Sequence, residues 1–373
     1  MSEARRGPLA GLVVVEAGRY IAAPYAGRLL ADLGADVIKV EDPDGGDPMR
    51  RWEGGARPYS PQFAAYNRGK RSVTLDLKSD AGVAAFRRLA AGADVVIENF
   101  RPGVMDRLGL GATVLRESDP RLIYCGLTGF GATGPYTHRP SYDTMISAMG
   151  GMYSLISAPD APSPIGPAYS DLLSGMFAVQ GILAALHQRA ETGEGQVVDV
   201  TMLGSVLGFL TEAVTSTLET GELLEPNTRQ RRAQAYGCVA GDGRAFVVHL
   251  SVPEKFWRAL TDAVERPEWR GDPRFAGRQD RYDHYAELDA LLKDVARTRT
   301  RQEWFVRFAD RDIPHGPINT LADICDDPQV AKMELLEDVE VDGGPPMRMT
   351  RPTIAFSAAA TPVGQAAPRL GEH

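Results

Sequence analysis

Asp171 is the residue best placed along this chain for covalent chemistry. It follows a proline-rich stretch, Pro162 to Tyr169, that lacks helical spacing. An apolar, glycine-studded run with helical character begins at Leu172. An aspartate at such a loop-to-helix junction reads, on pattern alone, as an N-cap whose carboxylate accepts the free N–H groups of the first turn. The same position favours an ionised, attacking carboxylate, because a helix N-terminus stabilises negative charge. The two roles can coexist.

Cations cluster elsewhere. Asn67-Arg-Gly-Lys-Arg71 places three of them within five residues, and Arg101 and Arg107 flank a later turn. The whole chain carries a net charge of −8, which disfavours nucleic acid or an anionic membrane as partner. A compact basic patch on an acidic protein suits a small polyanion, with a solvated charged loop as the plain alternative. No His-x-x-x-His pair or Cys/His cluster occurs, so no metal site is expected. Cys125, Cys238 and Cys325 lack redox or ligand spacing and read as reduced packing residues. His138 lies in a loop that could approach a site, and His315, in Ile313-Pro-His-Gly-Pro, reads as a structural turn. Gly204-Ser-Val-Leu-Gly208 is no nucleophile elbow, because its flanks are helical.

The elements that must hold these residues follow from apolar periodicity. Short β-branched runs at Leu12–Glu16, Asp36–Glu41, Ser72–Asp76, Asp94–Glu98 and Leu122–Gly126 predict strands. Helical spacing between them, at Pro24–Leu33 and Ala81–Ala91, predicts a parallel sheet covered by helices, an α/β fold. Phe177–Arg189 and Thr201–Leu218 read as longer helices. Near Leu223 the pattern changes: Glu225–Arg232 reads as an exposed linker, and Tyr236–Leu250 as a hairpin turning at Gly241-Asp-Gly243. Helices are expected at 254–264, 285–295 and 301–309, and one or two strands at 347–356. The 373 residues exceed one small core. A large α/β domain over 1–222, completed by 326–373, and a smaller α+β domain with its linker over 223–325 are therefore expected. The apolar runs fall short of the roughly 18–20 residues needed to span a bilayer. No apolar segment follows Arg5-Arg6, so a cytoplasmic location is expected.

A β-α-β opening with Glu41 ending its second strand invites a dinucleotide reading. Its first turn, Ala17-Gly-Arg-Tyr-Ile-Ala-Ala-Pro24, has one glycine where that fingerprint needs three, and Tyr20 and Ile21 would block a pyrophosphate. NAD binding is not expected.

Several segments, in order, resemble the signatures of the family III CoA-transferases, the CaiB–BaiF family. They are Gly34–Glu41, Asn67–Lys78, Ala93–Gly103, Gly166-Pro-Ala-Tyr-Ser-Asp171, Gly181–Leu186, Thr192-Gly-Glu-Gly-Gln196, Ile313–Ile318 and Leu370-Gly-Glu-His373. The resemblance spans nearly the whole chain. It implies a large domain with a Rossmann-like sheet, a smaller domain, and an interlinked, ring-like homodimer, with Thr211–Arg232 and Pro314–Val339 as ring closures. It implies that Asp171 is the nucleophile, carrying transfer of CoA from an acyl-CoA to a free carboxylic acid through an aspartyl anhydride and an aspartyl-CoA thioester. CoA is then a co-substrate and no other cofactor is expected. Ile21, Ala22, Leu75, Lys78, Asn99, Phe100, Arg101 and Arg107 match positions around the nucleotide end of CoA. Tyr142 and Asp143 match positions near the pantetheine and thioester. Asp42 stands where some members carry an arginine at the adenine.

Two other functions fit the resemblance less well. The family's 2-methylacyl-CoA racemases carry a His-Asp pair where this chain has Tyr142-Asp143, and a phenol is a poor general base at neutral pH. A CoA-binding protein without turnover would have no use for Asp171. Arg229-Gln-Arg-Arg232 stands where the formyl-CoA branch has a run of glycines. It could hold the second carboxylate of a dicarboxylic acid, or simply be a solvated linker.

Overall fold

The computed structural model describes residues 7–53, 57–158, 160–250 and 253–373. The chain divides into two compact units, residues 1–222 with 332–373 and residues 223–331.

The first unit is built on a six-stranded sheet. Its strands are β1 (Val13–Ala17), β2 (Asp36–Glu41), β3 (Arg71–Thr74), β4 (Val95–Glu98), β5 (Ile123–Thr128) and β6 (Val197–Thr201), in the order β3-β2-β1-β4-β5-β6. Every neighbouring pair is parallel. The central strands β1, β4 and β5 are mostly apolar because both faces are covered. On one face the helices Ala22–Asp32 and Tyr169–Thr192 bury Val14, Val37, Ile97 and Cys125. On the other, Phe86 and Leu115, from the helices Asp80–Ala90 and Ala112–Ser118, pack on Val15, Val96 and Tyr124. The Tyr169–Thr192 helix has the length and hydropathy of a membrane span, but one of its sides is a wall of this core.

Three sequence expectations change here. The long helix begins at Tyr169, not Phe177, because the first turns carry the small and polar residues that weakened its apolar pattern. The segment expected as one helix over Thr201–Leu218 is preceded by β6 and broken at Leu210 (ψ 20°) into Met202–Phe209 and Thr211–Thr220. Of Met347–Phe356, only Met347–Thr350 is a strand, antiparallel to Leu336–Val339.

A buried charge network fixes the loops at the carboxyl edge of β1 and β2. Lys39 Nζ bonds Glu16 Oε1 at 2.9 Å, the carbonyl of Gly18 at 2.8 Å and Asp47 at 3.1 Å. Lys70 Nζ meets the other Glu16 oxygen at 2.5 Å. Arg50 holds Glu41 through both carboxylate oxygens, at 2.6 and 2.8 Å, and Ser72 Oγ adds a bond at 2.7 Å. Glu41 is thus consumed within the fold and not presented to a ribose. The helix Ala22–Asp32 approaches this network at Gly27, where a Cβ would lie 2.4 Å from Glu16 Oε2.

The same contacts correct the reading of Asn67–Arg71 as a polyanion patch. Lys70 is buried on Glu16, Arg68 is buried on Asp32 and Glu337, and exposed Arg71 pairs with Asp36. Partners remote in sequence neutralise the cluster. The returning tail covers the edge of β3, with His373 N donating to the Ser72 carbonyl at 3.0 Å.

In the second unit, strands β7 (Ala235–Val239), β8 (Ala245–His249) and β9 (His315–Pro317) form an antiparallel sheet. Tyr236, Phe246, Trp257, Leu288, Trp304 and Phe308 belong to its core. His315 lies in a strand, not a turn, with its ring against Phe305 at 4.7 Å. Glu225–Arg232 is not wholly a linker, since Thr228–Ala233 forms a short helix. Cys125 and Cys238 are buried, but Cys325 is exposed.

Candidate active site

The strand order reverses direction between β1 and β4, so the loops leaving their carboxyl ends diverge and open a crevice. Asn99 ties the two loops together: its Oδ1 accepts from Arg19 N and its Nδ2 donates to the Arg19 carbonyl, both at 2.9 Å. Glu98 holds the next turn by accepting from Phe100 N at 2.7 Å. Burial pushes the Glu98 carboxyl up to about 7. The first loop also contains Tyr20 in left-handed backbone (φ 64°), and its N–H donates to Asp47 at 3.3 Å.

The crevice encloses about 210 Å³ and is lined by residues from all of these loops and by Asp171. Asp171 lies in the first turn of the Tyr169–Thr192 helix, two residues inside its start, so it does not cap that helix. The N-cap residue, Ala168, has no side-chain acceptor to offer. Asp143, on the Asp143–Met149 helix, supplies it instead. Its Oδ1 accepts from Ser170 N at 2.7 Å, Ser170 Oγ at 2.9 Å and Asp171 N at 3.5 Å. One turn further along the long helix, Gly175 lets it pack against the helix Ala22–Asp32. A Cβ there would stand 2.9 Å from the Ala22 carbonyl.

The electrostatics of Asp171 differ from the expectation of a helix end holding an ionised carboxylate. Burial pushes its carboxyl up to about 7, and the nearby Asp143 carboxylate adds to the rise. No cation is paired with Asp171 among the described residues. The helix dipole favours the anion, but desolvation and a like charge outweigh it.

Of the residues singled out by sequence, Ala22, Asn99, Phe100, Arg101, Tyr142 and Asp171 line this one crevice. Asp143 stands behind it as the helix cap. Ile21 packs on the cluster of Met49 and Phe63, and Leu75 lies with Phe100 on the core beneath the loops. Lys78 and Arg107 are exposed and outside the crevice lining, with no ion pair among the described residues. Asp42 pairs with Arg19 at 3.5 Å.

Other lining residues escaped the sequence reading. Thr137 and Arg139 flank His138 and face the crevice, whereas His138 is not part of its lining. Tyr20, Gly129, Phe130, Ser141 and Met202 also line it. The glycine-rich Gly129-Phe-Gly-Ala-Thr-Gly134 after β5 was the available signal, since such a loop at a strand end lets backbone approach a ligand. Tyr20 meets Tyr142 edge-on with ring centroids 6.3 Å apart, which makes an aromatic rim.

Known proteins resemble this chain over nearly its whole length. Residues 9–373 match the model for CoA-transferase family III. A succinyl-CoA–D-citramalate CoA-transferase of Chloroflexus aurantiacus is 36% identical, over 98% of this chain and 92% of that protein. A succinate–glutarate CoA-transferase of Agrobacterium fabrum is 34% identical, over 99% of this chain and 94% of that protein. The crystal structure of a CAIB/BAIF family protein from Brucella suis superposes with a TM-score of 0.89 at 37% identity, covering 99% and 98% of the two chains.

Proposed function

The chain belongs to CoA-transferase family III, and from that premise we propose that it moves CoA from an acyl-CoA to a free dicarboxylic acid, with Asp171 as covalent nucleophile. The observation that carries this reading is a carboxylate without a cationic partner among the described residues, held on a helix and lining the crevice at the sheet's switch point. The dicarboxylate class rests on the two relatives, whose names join succinate or its CoA ester to citramalate and to glutarate.

The energetics favour an aspartate. Serine would give an ordinary ester that a thiolate reopens poorly, whereas a carboxylate gives a mixed anhydride, which a thiolate opens readily. In the proposed cycle an Asp171 oxygen adds to the thioester carbonyl, the C–S bond breaks and CoA thiolate leaves. The thiolate adds to the Asp171 carbonyl carbon, and the donor acid departs with the anhydride oxygen. An acceptor carboxylate then displaces the thiolate from the aspartyl thioester. Attack of the thiolate on the acceptor's acyl carbon releases new acyl-CoA and restores Asp171. Electron pairs balance at each step with no net proton transfer.

Asn99, Phe100 and Arg101, with Ile21, Ala22, Leu75, Lys78 and Arg107, are proposed to hold the nucleotide end, whose phosphates need cations and backbone donors. Tyr142 is proposed to stand beside the pantetheine and thioester. Asp143 is proposed to position the Asp171 turn. A homodimer is part of the same reading. Its support is the apolar surface of the first unit at Met176, Phe177, Leu207, Phe209 and Leu218, each at least a third exposed in the single chain.

The test is a panel of acyl-CoA donors and acids, run in deuterium oxide with hydroxylamine trapping. The expected result is CoA exchange with dicarboxylates, trapping on Asp171, and no deuterium at the α-carbon of 2-methylacyl-CoA. Exchange with no acid at all, or α-deuteration at turnover rates, would overturn it.

A further inference from the structure

One recess of the second unit is lined by arginines with no carboxylate among them. It encloses about 410 Å³ between the helices Thr228–Ala233 and Arg278–Asp283, and Arg231, Arg232 and Arg278 line it with Gln234, Gln279 and Tyr282. Several other arginines of the unit face acids: Arg274 meets Asp272 and Glu287, and Arg299 and Arg307 share Glu265.

The walls of the recess are held by buried groups. Gln234 is buried in left-handed backbone (φ 49°), and its amide ties the walls together. Its Nε2 donates to the Arg278 carbonyl at 3.2 Å, and its Oε1 accepts from Arg281 Nε at 3.0 Å. Arg281, also buried, bonds the Phe275 carbonyl at 2.9 Å and Glu254 at 3.0 Å. Arg278 donates to the Arg232 carbonyl at 3.3 Å.

The lining cations are left with unused capacity. Arg231 lies over the Tyr282 ring at 4.6 Å and donates to the Tyr282 carbonyl at 3.4 Å. Its one acid, exposed Glu225, is 3.9 Å away, at the limit of an ion pair. Arg231 Nε is buried without a hydrogen-bond partner among the described residues. Arg232 is exposed and has no ion pair among the described residues. Gln279 is occupied by Asp283 at 2.9 Å. Three neighbouring guanidinium groups repel one another until an anion joins them, and their planar forks match carboxylates through paired N–H donors.

We infer that the recess formed by Arg231, Arg232 and Arg278 binds a small dicarboxylate. As a selector of acceptor acids it rests on the transfer reading above; as a binding site it stands on its own geometry. Phosphate shares the charge, so the experiment separates the two anions.

The full-length protein is titrated calorimetrically with succinate, acetate and inorganic phosphate, alongside Arg232→Ala, Arg278→Ala and the charge-preserving Arg231→Lys. Succinate is expected to bind more tightly than acetate or phosphate, and each variant to weaken it roughly tenfold, the loss expected for one charge-assisted contact. Arg231→Lys keeps the charge and loses only the fork, so its loss reports geometry and not fold. The ratio of kcat/KM for succinate over acetate should fall by a similar factor. Succinate affinity unchanged in both alanine variants would overturn the inference. So would phosphate binding as tightly as succinate and lost with the same arginines. Arginine-dependent succinate binding in a protein that exchanges no acid would sink the transfer reading and leave this site standing. Exchange whose choice of acid ignores these arginines would remove the selector role and leave the transfer reading standing, with the site itself decided by the titration.

Discussion

Glu16 and Asp171 both sit at the carboxyl edge of one parallel sheet, and their surroundings treat them in opposite ways. Burial pushes each carboxyl up, but at Glu16 the ammonium groups of Lys39 and Lys70 outweigh it and hold the acid below its ordinary range. At Asp171 the nearby charge is another carboxylate, so the acid rises to about 7. The cations beside Glu16 divide the same field unequally. Burial depresses both, but Lys39 faces Glu16, Asp47 and Glu41 and ends up raised, whereas Lys70 also feels Lys39 and is lowered to about 8. A buried carboxylate paired with cations on both oxygens is a weakened nucleophile, and its cost of burial is offset by its partners. An unpaired one is held at a cost in stability and stays reactive. That contrast separates a structural acid from a nucleophile better than residue type does.

The largest expected effect breaks the reactive side. Asp171→Ala should lower CoA exchange roughly a thousandfold or more, as removal of a covalent nucleophile does. Calorimetric CoA binding should persist, because the residues proposed to hold CoA are others. Exchange within a few-fold of wild type would return Asp171 to a structural role.

Breaking the structural side comes next. Lys39→Met leaves Glu16 and Asp47 facing one cation fewer in a buried site. It should cost about 3–5 kcal/mol of stability, the usual penalty for an uncompensated buried charge. Urea unfolding measures this, and a loss below about 1 kcal/mol would show that the network relaxes or admits water.

The smallest effect sharpens the comparison itself. Asp171 must be ionised to attack, so kcat/KM should rise with pH through about 7. Asp143→Asn removes the like charge while keeping an oxygen for Ser170. Asp171 then ionises more readily, and the acid limb should move down, staying above the ordinary aspartate range because burial, the larger cause, remains. An unmoved limb, or one displaced upward, would mean that Asp143 acts on Asp171 only as a helix cap.

Much of the framework was legible in the sequence. Asp36–Glu41 could be placed to the residue because the β-branched Val37, Ile38 and Val40 mark a strand, although Lys39 and Glu41 within it are buried charges that only their remote partners explain. Family signatures then picked Asp171, Asn99 and Arg101 out of segments far apart in the chain, and the crevice joins them. Other features had no local signal. Asn67–Arg71 looks like a surface patch because its partners, Glu16, Asp32 and Glu337, lie up to 269 residues away. Asp171 looked like a cap because nothing near it in sequence announces that Asp143 already fills that role. Periodicity reports which way a side chain must face, and that depends on residues three or four apart. Pairing and desolvation depend on which groups the fold brings within about 4 Å, so the sequence determined where the carboxylates stand, and only the tertiary structure decided which of them was left without a partner.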